Sequence, residues 1–333
     1  MHTIRPLEDV VKERPFFFLG NPIHQRVIKL IHEMMINCIA INGRQSCGIE
    51  IELTGNQSFL FRFKASQTLE HIAEEILEHK ATEKNQYLII GKILCKYFNL
   101  SIENKFHLLM SLQLDPKVFS NSLNYFKLLS AVELFTALNR NSEVTLMDNR
   151  GKYRQRNHLC FPEGILHLHN RNMHDVLSIS QFEIDFDSKI KGKDYQFYLT
   201  YRGDWYPEPV IHAYANNISN TSGGSLIDGI ISGFIHGLEA YVAHQKLKYY
   251  KIKKTKIFNG LILTAHVRGD KFSFGGSFKE SLEDDVVKED VATVMKKETN
   301  KFLSQNQQAA IDFLSRFDES QLGSAMFDLS QER

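Results

Sequence analysis

The stretch AYANNISNTSGGSLIDGI, residues 213–230, leaves the chain around it little conformational freedom. A strand-like run enters two asparagines and a polar turn, crosses Gly223 and Gly224, and continues as an apolar-rich segment to about residue 246. Paired glycines accept backbone angles that other residues resist. Ser225, or a polar neighbour, stands where a helix N-cap belongs. The sequence therefore predicts strand, turn and long helix in succession, with the glycines at the joint.

The segments around this joint have the same mixed character. FEIDFD, QFYLTYRG and IHAYANN read as strands, SLIDGIISGFIHGLEAYVAHQK as the long helix and LILTAHVR as another strand. KEDVATVMKKETNKFLSQ and QQAAIDFLSRF read as closing helices, so the plan is α+β. In the first half, residues 25–41 (QRVIKLIHEMMINCIAI) predict a largely buried helix, and CGIEIEL with SFLFRF predicts a hairpin turning at Thr54, Gly55 and Asn56. Residues 67–80 predict an amphipathic helix and residues 87–98 (YLIIGKILCKYF) a more buried one. FHLLMSLQL reads as a strand ended by Asp115-Pro116, because a proline ring opposes helix continuation and cannot donate to a ladder. LNYFKLLSAVELFTALN reads as a helix, and EVTLMDNRGKYRQ as a hairpin turning at Asn149-Arg150-Gly151. Between residues 157 and 175 the chain becomes rich in His and Asn, with Pro162 and Gly164. The boundary falls there, giving domains 1–160 and 161–333.

A chain of 333 residues can bury two cores. Its formal net charge of +1 excludes a global field that would draw it to nucleic acid, so such contact needs a local patch. The best candidate is KLKYYKIKKTK, residues 246–256. Lys246, Lys248, Lys251, Lys253, Lys254 and Lys256 would meet a DNA backbone, or would simply form a solvated helix end and loop. The loop DWYPEP offers Trp205 and Tyr206 for base stacking, with strand connection the plainer reading. Cys38, Cys47, Cys95 and Cys160 are scattered without CxxC or zinc spacing, which suits a reduced interior. His158, His167, His169 and His174 invite a metal reading, with His167 and His169 alternating on a strand, but such histidines are more often polar surface. No leader pattern is visible, and no run approaches the roughly 18 apolar residues of a membrane span. The expectation is a cytoplasmic protein with no membrane partner.

Five motifs in order carry a family resemblance. RPFFFLGN begins at residue 14, HEMMIN spans 32–37 and DPKVF precedes the 123–148 helix and hairpin. YANNISNTSGGS and FSFGGSFKESL follow in the second half. Together they resemble the ATPase region of the DNA gyrase B subunit and its topoisomerase IV counterpart, of the GHKL superfamily. The resemblance implies a Bergerat-type ATPase-like α/β sandwich followed by a transducer domain like the second domain of ribosomal protein S5. It also implies Glu33 as general base, Asn37 as magnesium ligand and Lys279 as γ-phosphate contact, with Gly91 in the ATP lid and Ser277 at a nucleotide-contacting position of the transducer loop. Glu33 and Asn37 are four apart, so both project from one face of the 25–41 helix. A water-activating carboxylate and a metal-binding amide need that proximity. An ordinary polar helix edge has the same spacing.

The departures from the family pattern bear on activity. The family places an adenine-reading Asp in a glycine-bearing turn after its second strand, where this chain has FLFRFKASQ. The family lid is glycine-rich, so that backbone N–H groups wrap phosphate. Residues 84–98 offer only Gly91 among bulky apolar residues, and FHLLMSL stands where a threonine is expected before DPKVF. Each lost charged hydrogen bond costs about 1.5–3 kcal/mol, enough for several together to remove a micromolar site. The leading expectation is a catalytically impaired pseudo-ATPase scaffold without cofactor, acting as a homodimer or by binding a topoisomerase-related or DNA-transaction partner. The alternatives are a divergent Mg-ATP-dependent subunit of a topoisomerase-like assembly, and a DNA-binding module using the lysine run. No DNA-cleavage module follows the transducer-like segment, so this chain alone is not expected to change DNA topology.

Overall fold

The computed structural model describes residues 5–20, 25–43, 45–119, 123–174, 179–202, 208–247, 250–276 and 281–317. They form two compact units, divided between Gly164 and Ile165.

The first unit begins with α1 (Leu7–Glu13), α2 (Phe16–Leu19) and α3 (Arg26–Ile41). The hairpin β1 (Gly48–Gly55) and β2 (Ser58–Lys64) follows, then α4 (Glu70–Leu77), α5 (Gln86–Ile93), β3 (Cys95–Glu103) and β4 (His107–Leu114). α6 (Tyr125–Leu138), β5 (Glu143–Asp148) and β6 (Gln155–Leu159) complete it. The strands align in the order β3-β4-β2-β1-β5-β6, with β1 and β5 parallel and the other neighbours antiparallel. Period-two alternation fixes the register, because a one-residue slip would turn every apolar side chain outward. Ile49, Ile51 and Leu53 of β1 and Phe59, Phe61 and Phe63 of β2 all point into one core with α3, α5 and α6. The reading of 87–98 as one helix needs correction. α5 stops at Ile93, and Cys95–Glu103 is an edge strand paired with β4 around a turn at Asn104 and Lys105, both at positive φ. A short continuous apolar run does not distinguish buried helix from strand.

The second unit starts with α7 (Leu166–Met173), β7 (Ile179–Ile190), β8 (Lys193–Arg202), β9 (Val210–Ala215) and β10 (Ile218–Ser219). α8 (Ser225–His244), α9 (Lys254–Phe258), β11 (Leu261–Arg268), β12 (Phe274–Gly275) and β13 (Ser281–Leu282) follow. α10 (Asp285–Gln305), α11 (Gln307–Leu314) and a 3₁₀ turn (Ser315–Phe317) close the described chain. The main sheet runs β10-β9-β11-β8-β7, parallel only between β9 and β11. One sheet face packs on α8, α10 and α11 through an aromatic cluster that includes Phe182, Tyr201, Phe234, Phe302 and Phe313. Asp290 of α10 is buried, accepting from Lys191 Nζ at 2.6 Å and Tyr195 Oη at 3.1 Å, which clips the β7–β8 hairpin to the helix. Tyr195→Phe removes one of these donors and is expected to lower the unfolding free energy by about 1 kcal/mol in urea titration.

The joint that constrained the sequence does so for a specific reason. Gly224, at φ +113, lies against the backbone of Leu282, and a Cβ there would sit 2.3 Å from the Leu282 carbonyl oxygen. It is also the N-cap residue of α8, so Ser225 is not the cap. The Ser225 hydroxyl instead accepts from the Asp284 amide at 2.8 Å, and Asp284 caps α10 through Val287 N at 3.1 Å. α8 and α10 therefore start side by side and run parallel. Gly229, Gly233 and Gly237, one turn apart, let α10 approach closely: Gly229 faces the Val291 side chain and the Lys288 backbone, Gly233 the Ala292 backbone and Gly237 the Thr299 side chain. α8 is long and apolar enough to cross a membrane by length and composition, which corrects the expectation that no such stretch exists. Within this unit its apolar residues Leu226, Ile230, Phe234 and Leu238 belong to the core.

The opposite face of the sheet carries buried Gln196, Thr200, Thr264 and His266, with α7 packed on β11. His167 and His169 thus lie on a helix and not on a strand. His169 is fully buried, its Nδ1 lies 3.2 Å from Thr264 Oγ1, and its Nε2 has no hydrogen-bond partner. Burial lowers its pKa from 6.5 to about 4. Across that window the unfolded chain binds a proton that the folded chain refuses. The stability tied to the neutral ring is complete above pH 6.5 and is lost as pH falls, at up to about 1.4 kcal/mol per pH unit. His169→Gln is expected to flatten the urea midpoint between pH 7 and 5 by about one proton.

Candidate functional site

α3 presents both residues expected to serve as base and metal ligand. Its buried face, Leu30, Ile31, Met34 and Met35, fixes the helix on the sheet. Glu33 and Asn37 follow from that rotation onto a common side. The Glu33 carboxylate pairs with Lys29 Nζ one turn earlier, and its side chain is 15% exposed. Asn37 is buried, and its Oδ1 accepts from the Tyr87 amide at 2.7 Å. That amide belongs to the first turn of α5, so Asn37 caps a neighbouring helix. Tyr87 covers the same side of α3, and burial, with the Glu33 charge as second cause, raises its phenol pKa to about 12. The Tyr87 hydroxyl reaches the Phe18 carbonyl at 3.4 Å. His32 lies beside Glu33 with its Nε2 unpartnered, and burial lowers it to about 4 against the opposing pull of Glu33.

The segment where a phosphate-wrapping lid is expected is built into the core. Asn85, fully buried, accepts from the Thr82 amide at 2.7 Å and donates to Glu75 Oε2 at 2.6 Å and to the Lys80 carbonyl at 3.2 Å. The opening amides of α5 are all taken, Gln86 by the Thr82 carbonyl, Tyr87 by Asn37 and Leu88 by the Asn85 carbonyl. A helix N-terminus binds an anion through free amides. Gly91 lies buried in mid-helix, where an added Cβ would touch Leu112 and Met34 at 3.4 Å. It packs α5 on α3 and borders no open loop.

The turn after β2 is closed in a similar way. Asn42, at the end of α3, accepts from the Ser66 amide at 2.9 Å and from its hydroxyl at 2.8 Å. Gln67 donates to the Ile41 carbonyl, and Ala65 N to the Phe106 carbonyl at 3.0 Å. Phe59, Phe61 and Phe63 are fully buried behind it. A Mg-nucleotide therefore does not fit the described residues as they stand: the amide oxygen that would ligate the metal and the amides that would hold phosphate have protein partners.

Ser277 and Lys279 lie outside the described residues, as do Trp205, Tyr206 and Lys248. In the lysine run, Lys246, Lys251, Lys253 and Lys254 are exposed, whereas Lys256 Nζ turns to the Arg316 carbonyl at 2.6 Å. Among the described residues no group of three or more His, Cys, Asp or Glu is placed to hold a metal. His158 instead meets Thr145 Oγ1 at 3.0 Å on β6. The four cysteines are free, and burial pushes the Cys47 and Cys95 thiols up to about 12. Sequence reasoning missed Tyr87, Asn85 and the Asn42–Ser66 stitch. Asn85, a polar residue just ahead of an apolar run, was the one local signal available.

With this geometry in place, comparison with solved structures identifies the architecture. The B subunit of DNA gyrase from Myxococcus xanthus superposes with a TM-score of 0.78 at 14% identity, covering 93% of this chain and 99% of that one. The fold is that of the gyrase B ATPase and transducer region. The 43K ATPase domain of Thermus thermophilus gyrase B, solved with an aminocoumarin, gives 0.75 at 13% identity, covering 97% and 98%. The topoisomerase IV ATP-binding domain of Francisella tularensis, solved with a small-molecule inhibitor, gives 0.71 at 17%, covering 93% and 95%. In sequence, the family model described as DNA gyrase B matches residues 166–322, nearly all of the second unit. Curated protein sequences gave no match. The recognisable gyrase B sequence thus lies in the transducer-like half, while the ATPase-like half keeps the fold.

Proposed function

We propose that this gyrase-B-like chain is a pseudo-ATPase scaffold that acts by association, as a homodimer or with a topoisomerase or other DNA-transaction partner. Gyrase B ATPase domains use Mg-ATP and work as DNA-bound dimers, so the departure lies at the nucleotide site and not in the architecture. The observation that carries the reading is the occupation of the α5 amides, one of them by Asn37 itself. Retention of the glycine-lined transducer joint alongside that closed site supports a role in contact and not in turnover. We assign the units as a degenerate ATPase-like domain and a transducer-like domain, in the cytoplasm.

The test is calorimetric titration of a non-hydrolysable ATP analogue with magnesium into wild type and Glu33→Ala, with light scattering on the same samples. No heat and an unchanged mass are expected. Micromolar, magnesium-dependent binding accompanied by a rise in mass would overturn the proposal in favour of a divergent ATPase, a reading supported by the retained Glu33, whose side chain is 15% exposed. The exposed lysines favour DNA contact as a companion role. Changing Lys246, Lys251, Lys253 and Lys254 to Glu should then weaken DNA retention and flatten its salt dependence; unaltered retention would remove that role.

A further inference from the structure

The outer edge of the first unit's sheet collects charge and aromatic surface that the fold does not use. Residues 148–158, DNRGKYRQRNH, hold four cations and one carboxylate. Arg150 takes that carboxylate, donating to both Asp148 oxygens, from Nε at 2.8 Å and from Nη2 at 2.6 Å. Lys152, Arg154 and Arg156 are exposed, and among the described residues none of the three has an ion-pair partner. β6 is the last strand of its sheet, so one of its backbone edges stays open.

Aromatic side chains stand among these cations. Tyr153 is 81% exposed and Phe126, in the first turn of α6, 67%, the two most exposed large hydrophobic side chains among the described residues. Two hydrogen bonds hold that turn of α6 against the hairpin: Tyr125 Oη donates to Asn157 Oδ1 and Arg150 Nη1 to the Leu123 carbonyl, both at 2.5 Å. The Phe126 ring lies 5.7 Å from the Tyr125 ring, and Lys127 follows it, exposed. Lys152 Nζ stands 5.9 Å from the centre of the Tyr153 ring. Edge cations by themselves guard a sheet against strand addition. Exposed aromatics add adhesive surface, so protection does not explain the combination. Cations follow a phosphate backbone and aromatic rings take base faces, the pairing on which sequence-tolerant single-strand binding rests. A duplex offers its phosphates but keeps its base faces stacked inside, so Tyr153 and Phe126 suit the unpaired form.

We propose that the β5–β6 edge of the first unit binds single-stranded nucleic acid, with Tyr153 and Phe126 stacking on bases while Lys152, Arg154 and Arg156 hold phosphates. The site uses none of the lysines of the 246–256 run and does not rest on the proposed loss of ATP turnover.

The test is fluorescence anisotropy of labelled oligothymidylate and oligouridylate with the full chain over a salt series, with unlabelled duplex as competitor. Tyr153→Ala is expected to weaken binding by about five-fold or more, the worth of one base stack. Lys152→Gln/Arg154→Gln/Arg156→Gln is expected to flatten the slope of log affinity against log salt by about 2, at about 0.7 per phosphate contact. Changing Lys246, Lys251, Lys253 and Lys254 to Glu should leave both effects in place. Binding of either oligomer with these effects supports the proposal, and the tighter of the two identifies the sugar. No binding of either, an affinity untouched by Tyr153→Ala, or a duplex that competes as well as the single strand would overturn it. All the altered side chains are exposed, so urea midpoints equal to wild type are expected and verify that folding is intact.

Discussion

Gly233→Leu is expected to unfold the second unit while sparing the first. A Cβ at Gly233 would lie 2.3 Å from the Ala292 carbonyl oxygen and 2.8 Å from its Cα, so even alanine forces α8 and α10 apart. Both obstacles are backbone, and no rotamer change relieves them. In a solvated helix Gly→Ala would stabilise by up to about 1 kcal/mol; here the sign reverses. Leucine adds three more heavy atoms to a filled interface, and a cost of about 4 kcal/mol or more is expected, a large part of a domain's total stability. Hydrogen exchange read by mass spectrometry should show protection lost across residues 165–317 and kept across 5–164. Gly233→Ala should show a smaller loss of the same kind. A Leu variant with wild-type protection would mean that the two helices separate freely.

Asn37→Ala separates the two roles that the residue can hold. As a cap it satisfies the Tyr87 amide, and its loss leaves a buried donor unpaired at about 1–3 kcal/mol. That loss is expected in urea unfolding with neither nucleotide nor magnesium present, together with faster exchange of the Tyr87 amide. A residue kept for a metal would behave differently: apo stability would hold, and only a response to Mg-nucleotide would vanish. The measurement therefore reports on the closed site without requiring that any ligand be found.

Much of the architecture was legible in the sequence because burial imposes periods. Ile49, Ile51 and Leu53 opposite Phe59, Phe61 and Phe63 announce a hairpin with one wet face, and the glycine pair marks the transducer joint. The break between Ile93 and Cys95 was not legible, since Tyr97 and Phe98 continue the apolar run into an edge strand that is largely exposed. The candidate site was legible as residue types and not as contacts. Glu33 and Asn37 occupy the expected helix face, but nothing in their spacing tells that a segment fifty residues later delivers an amide to Asn37. That bond is tertiary, and its only local trace is the polar Asn85 ahead of α5. Ser225 was misread for the same reason, because its hydroxyl serves a chain fifty-nine residues away.

The close seam between α8 and α10 also sets how the second unit can deform. Side chains between helices normally act as a compliant layer, letting one helix slide or roll by repacking rotamers. Gly229, Gly233 and Gly237 thin that layer over two turns, to bare backbone at Gly233, so the pair is expected to move as a single girder about 30 Å long. A tilt imposed at its fixed end, where Gly224 is wedged against Leu282, arrives at the far end around Gln305 with little lost on the way.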